Sequence, residues 1–184
     1  MAEALWKEFV ISILALLFTG WAGWLDWRTR RIPNWLTVPG LLLGLALNSA
    51  LFGWAGTKSS LEGAGLGLGL LLPFVLARGL GAGDWKLMGA LGALLGPEKF
   101  IAVLLGTVFI AGIMAVVEMV RRRRVKETLA NTLVLIHAFA TFGLRPKREN
   151  ITLDNPGLMA QPFGVAAALA MVIFFFAQSA LRAI

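Results

Sequence analysis

The sequence predicts an all-α, polytopic membrane protein of about six transmembrane helices, with one amphipathic helix lying on the cytoplasmic surface. Three observations predict it. Hydrophobic residues make up 58% of the 184 and charged residues only 15%, where a soluble domain carries about 25% charged residues. The apolar residues gather into continuous runs, and the bases collect at the ends of those runs. A span takes roughly 20 apolar residues, so a chain of this length supplies six or so with little left over. One membrane domain over residues 1–184 is expected, with no soluble module.

The runs cover residues 8–25, 35–55, 61–80, 87–96, 100–120 and 162–181. The first is read as a retained span with its N-terminus outside. Glu3 and Glu8 stand against Lys7, and no small-residue cleavage site precedes Asp26. That start places Arg28, Arg30, Arg31, Arg78, Lys86, residues 121–124, Lys126, Arg145, Lys147 and Arg148 in the cytoplasm. These are thirteen of the 17 lysines and arginines; Lys7, Lys58, Lys99 and Arg182 remain outside. Such an asymmetry is what the positive-inside rule describes.

The fourth run, 87–96, is about 15 Å long at 1.5 Å per residue, against a bilayer core of roughly 30 Å. Taken alone it could be re-entrant. If it did not cross, however, the basic residues 121–124 would lie outside. It is therefore read as a short span whose cytoplasmic end starts below the headgroups, buried among its neighbours. Residues 127–144 are long enough to span but contain Glu127, Thr128, Asn131, Thr132, His137 and Thr141. Crossing there would export Arg145, Lys147 and Arg148, so an amphipathic surface helix is expected. Gly40, Gly44, Gly63, Gly65, Gly67, Gly69, Gly89, Gly92 and Gly96 read as packing glycines, since small residues four apart let membrane helices approach closely.

Several function classes drop out. The net charge of +7 and pI near 10.9 suggest nucleic acid, but the bases mark topology and no soluble fold presents them, so no nucleic-acid partner is expected. With no cysteine and the single His137, disulfides, thiolate metal sites, a His-rich metal site and a Ser-His-Asp triad lack their residues, and no cofactor or metal is expected. Trp24, Trp27, Trp35 and Trp85 fit a tryptophan belt at span ends. Glu118 is expected to pair with Arg121 or Arg122. Asp154-Asn155-Pro156-Gly157 reads as a turn, and Gly81-x-Gly83 lacks the rest of a dinucleotide fingerprint.

The aspartates carry the chemistry. Asp26 ends the first span in Asp-Trp-Arg-Thr-Arg-Arg-Ile32-Pro33-Asn34, and Asp84 follows the third in Gly81-Ala-Gly83-Asp84-Trp-Lys86. One out-and-back hairpin lies between them, so both return to the same membrane face. The plainer reading pairs each with a neighbouring base, Asp26 with Arg30 or Asp84 with Lys86. Against it, Gly81 and Gly83 strip side chains from the backbone before Asp84, permitting unusual dihedrals and close approach of another segment. Two apposed carboxylates cannot both ionise easily, so one serves as acid while the other takes a proton from water.

The pattern Asp26…Ile32-Pro33-Asn34, with Gly-Ala-Gly-Asp84-x-Lys86 and the following Gly89 and Gly92, resembles the type IV prepilin peptidases. Pro162-Phe-Gly-Val-Ala166 is similar to a stretch of the same family. The resemblance implies a polytopic aspartyl protease with Asp26 and Asp84 catalytic and Gly81, Gly83, Lys86, Pro33 and Asn34 in supporting motif positions. It implies as partner the apolar helix of a prepilin or pseudopilin within the bilayer, with a short basic leader cut at a glycine just before that helix, at the cytoplasmic face of a prokaryotic inner membrane. Longer members carry an N-terminal insert with paired cysteines and also methylate their product. This sequence has no cysteine and no such insert, so it resembles the short, peptidase-only form of Flp or tight-adherence pilus systems, and methylation is not assigned to it. Lys86 either tunes the pair or anchors its helix; Arg28 reads as an anchor. The rival readings are a small proton- or cation-coupled transporter using the same acids, another Gly-x-Gly-Asp intramembrane peptidase, and a non-enzymatic pilus-assembly subunit, against which the intact aspartate pair argues.

Overall fold

Where they are described, the apolar runs are almost wholly helical, as a backbone in a bilayer must be when it has no water to bond. The computed structural model describes residues 2–76, 79–121 and 162–182. They form four helices: α1 (Ala2–Thr29), α2 (Asn34–Leu76), α3 (Ala82–Arg121) and α4 (Phe163–Arg182). All four are long and apolar enough to cross a membrane, and this is a multi-pass membrane protein. The surface helix expected over 127–144 lies outside the described residues. So do Arg78, residues 122–124, Lys126, His137, Arg145, Lys147, Arg148 and the turn expected over 154–157.

Two helices are too long to be straight spans. The 43 residues of α2 would reach about 65 Å, twice the bilayer core. Gly53 breaks it with φ 61 and ψ −143, a left-handed conformation that costs glycine little. The chain doubles back there, since Thr57 Oγ1 donates to Ser49 Oγ at 2.7 Å, whereas eight residues of straight helix would separate them by about 12 Å. The break falls inside the run read as 35–55, and helix resumes at once rather than after a loop. The 40 residues of α3 break likewise at Gly96, φ 72 and ψ 171, directly before Pro97.

The second arm of α2 packs antiparallel on the first arm of α3. Gly63 meets the backbone of Gly92, and a Cβ on Gly67 would stand 2.7 Å from the Met88 carbonyl. Gly44, from the first arm of α2, leaves only 2.8 Å from a Cβ to the Leu94 nitrogen. The short fourth run is thus enclosed, with every residue of 87–96 buried. It begins earlier than the sequence suggested, at Ala82, because Gly81 caps a further turn. Not every glycine packs: Gly65 and Gly69 have nothing within 4 Å, and Gly96 is a hinge. α1 pairs with α4 through Gly23 against Ala168 and through Ser12 Oγ, which donates to Gln178 Oε1 at 3.2 Å. Lys99 reaches Glu8 at 3.3 Å, tying the start of α3's second arm to the start of α1. Large apolar side chains such as Leu17, Phe109 and Ile173 face outward.

Pro97 creates a debt that α2 settles. It has no N–H to give the carbonyl of Ala93, four residues back. Asn48 Nδ2 donates to the Ala93 and Leu94 carbonyls at 3.0 Å each, and Ser60 Oγ donates to Ala93 O at 2.7 Å. Both side chains are buried, so the break in α3 keeps its backbone bonded away from water.

Candidate active site

At the opposite end of the bundle lie the two aspartates. Asp26 sits in the last turn of α1 and is 5% exposed. The helix stops at Thr29 because Arg30 takes a left-handed φ of 54, while its N–H donates to the Asp26 carbonyl at 2.9 Å. This left-handed stop usually falls to glycine. The chain then swings back through Ile32 and Pro33, and Pro33's carbonyl accepts from Leu36 N at 3.1 Å as α2 begins.

Ile32 is the wedge that assembles the site. A Cβ on Gly83 would stand 2.9 Å from the Ile32 carbonyl, and one on Gly164 3.1 Å from Ile32 Cδ1 and 3.0 Å from Asp26 Cβ. A side chain at either glycine would push α3 or α4 off the Asp26 joint. The approach expected of Gly83 is therefore present. The unusual dihedrals are not: among the described glycines only Gly53 and Gly96 have positive φ.

Each acid is held by a helix N-terminus, where backbone amides lack partners of their own. Gly164 N donates to Asp26 Oδ2 at 2.8 Å, while the next amide, that of Val165, donates to the Pro162 carbonyl at 3.1 Å. Asp26 thus caps α4 from another helix, 138 positions away. Asp84, the third residue of α3, accepts from the Gly81 amide while Trp85 N donates to the Gly81 carbonyl at 3.1 Å. The carboxylate thus supplies one half of a capping box, the acid at the third helical position turned back to its own helix start, while the Trp85 bond is the first backbone bond of the helix. Asp84 lies near enough to Asp26 to feel its charge.

The supporting positions divide. Lys86 Nζ donates to Asn34 Oδ1 at 2.9 Å, joining the two motifs without neutralising Asp84. Arg28 is exposed and stands 5.2 Å from the ring of Trp24, as an anchor would. Glu118 meets Arg121 at 4.0 Å. Trp24, Trp27 and Trp35 are exposed, but Trp85 is not a belt residue, because its Nε1 donates inward to Leu68 O at 2.7 Å. Ile32 and Gly164 were not singled out for these roles in the sequence; the only signals were an apolar residue inside a basic joint and the glycine of Pro162-Phe-Gly164. Among the described residues, no group of three or more His, Cys, Asp or Glu could hold a metal. The arrangement is a pair of oriented carboxylates at one end of an apolar bundle, able to take and give protons.

Comparison with known proteins bears on the same residues. Over 114 residues the chain is 35% identical to the prepilin leader peptidase/N-methyltransferase of Escherichia coli (strain K12), covering 58% of this chain and 50% of that protein. It therefore spans about half the length of this relative. No solved structure gives a significant match. The model of the type IV leader peptidase family matches residues 11–116, from α1 through both aspartates and most of α3. Since that match takes in more than half of the chain, including the Ile32 joint and the Gly83-Asp84 helix start, the protein belongs to the type IV leader peptidase family.

Proposed function

We propose that this protein is an aspartyl endopeptidase that removes the short leader of a prepilin-like substrate at the cytoplasmic membrane face, with Asp26 and Asp84 as its acid–base pair. The observation that carries the reading is the double anchoring of the carboxylates, Asp26 by the start of α4 and Asp84 by the start of α3, with Ile32 wedged between those helices. One carboxylate takes a proton from water as the water oxygen attacks the scissile carbonyl carbon. The other, protonated, gives its proton to the carbonyl oxygen. When the tetrahedral species collapses, the newly protonated aspartate gives its proton to the leaving nitrogen as the C–N bond breaks, and a hydroxyl of the collapsing diol gives its proton to the other carboxylate, which resets the pair. No metal or covalent nucleophile enters, and the peptidase step alone is proposed.

The helix breaks at Gly53 and Gly96 favour six crossings, with Asp26, Asp84, Arg28, Arg31 and Lys86 at the cytoplasmic end. A basic substrate leader gains nothing from this basic end, so binding rests on the substrate's apolar helix, already confined to the bilayer. A transporter using the same acids needs a path to the other face. Here Leu87, Met88, Leu91 and Leu94, each at most 1% exposed, fill the interior between them and that face.

Co-expression with a candidate prepilin tests the reading: its mass should fall by that of the leader, and not when either aspartate is replaced by asparagine. A leader left intact by the folded wild-type enzyme, across prepilins encoded beside it, would sink the proposal. Reporter fusions at Arg31 and Gly83 should read cytoplasmic and one at Ser59 external.

A further inference from the structure

We propose that Thr37 is a substrate-positioning residue, whose hydroxyl bonds the peptide backbone just on the apolar side of the cut; this rests on the peptidase reading. Thr37 is 1% exposed, and its Oγ1 is the one buried side-chain polar atom among the described residues with no hydrogen-bond partner. Other buried hydroxyls are satisfied: Thr19 donates to Ala15 O, Thr107 to Val103 O, and Ser60 to Ala93 O. The first two use the carbonyl four residues back in their own helix. For Thr37 that carbonyl is Pro33's, which already accepts from the amides of Leu36 and Thr37. A buried hydroxyl left unbonded is costly, so it needs a reason.

Its position supplies one. Thr37 lies between Asn34 and Gly40 on one helical face. Asn34 meets Lys86 of α3, and Gly40 abuts Phe18 of α1. Thr37 is thus buried on the face of α2 whose neighbouring positions meet the two helices that carry Asp84 and Asp26, one turn beyond the Asn34 joint. A prepilin-like substrate cut at the aspartates would place there the first residues of its apolar helix. Those residues carry amides without intrahelical partners, and opening the chain for cleavage frees carbonyls beside them. Within a bilayer such groups must bond to protein. A threonine hydroxyl suits either, since it accepts from N–H and donates to C=O.

The test uses the full-length protein in nanodiscs with a pre-inserted prepilin, comparing Thr37→Val, Thr37→Ser and the two Asp→Asn variants. Thr37→Val keeps the shape and removes the hydroxyl. It should melt no lower than wild type, because it deletes an unsatisfied group, yet lose about threefold or more in kcat/KM. Thr37→Ser should retain activity within that margin. A smaller loss in Thr37→Val overturns the proposal. So does a lowered melting temperature, which would reveal a structural partner, and so does a Thr37→Ser variant as defective as Thr37→Val, which would implicate the methyl group. Cleavage by Asp26→Asn or Asp84→Asn would instead remove the peptidase reading beneath it.

Discussion

Both ends of the helical bundle bury polar side chains, but they use them differently. Near the Gly53 and Gly96 turns, Asn48 and Ser60 spend their donors on the carbonyls that Pro97 and the Gly96 break release. Near the basic end, Asp26 and Asp84 each take one helix start, Lys86 reaches across to Asn34, and Thr37 keeps an unbonded hydroxyl. Polarity inside a membrane protein is not by itself a sign of chemistry. At Asn48 and Ser60 it repairs a broken backbone, whereas the proposed function draws on the groups at the basic end. Asn48 is as buried as an active-site residue and has no chemistry left to offer.

Substitutions at the two ends should separate these roles. Asp26→Asn and Asp84→Asn should each lower cleavage by about 10²–10⁴-fold, the usual worth of a general acid or base, and the double variant should lose little more. Because asparagine can still accept from the Gly164 or Gly81 amide, the melting temperature in detergent should hardly move. Substantial turnover in either single variant would mean that the pair does not act as a unit.

Asn48→Ala should give the opposite pattern. It leaves the Leu94 carbonyl without its donor from Asn48, at a cost of roughly 0.6–1.7 kcal/mol for an interhelical bond in a membrane protein. Melting should drop while activity per folded molecule stays near wild type; unchanged melting would show that the Pro97 break has another source of satisfaction. Lys86→Met should lower activity by about threefold to tenfold through the lost bond to Asn34, with little change in stability. An equal fall in melting and activity would make Lys86 an ordinary anchor. The smallest effect belongs to Glu8→Gln, which loosens a partly exposed ion pair with Lys99 worth about 0–1 kcal/mol. A larger loss on thermal denaturation would show that this pair, rather than packing, seats α3 on α1.

The sequence by itself determined the helical class, the apolar runs and the two aspartate motifs. Each is written locally: hydropathy over about 20 residues makes a span, and Gly81-Ala-Gly83-Asp84 caps its own helix. Even the enclosure of 87–96 was legible, because ten residues are too few to cross the bilayer core unless one end starts among neighbouring helices. What only the tertiary structure decided depends on partners far apart in the chain. Trp85 turned inward because Leu68 offered a carbonyl, and Asn48 and Ser60 acquired their purpose from Pro97, tens of residues later. Gly53 became a turn, while Gly65 and Gly69, identical in sequence terms to their neighbours, had no helix to meet. The capping of Asp26 by Gly164 joins residues 138 positions apart. No local pattern encodes that bond; it exists because Ile32 and two side-chain-free glycines let three helix ends converge.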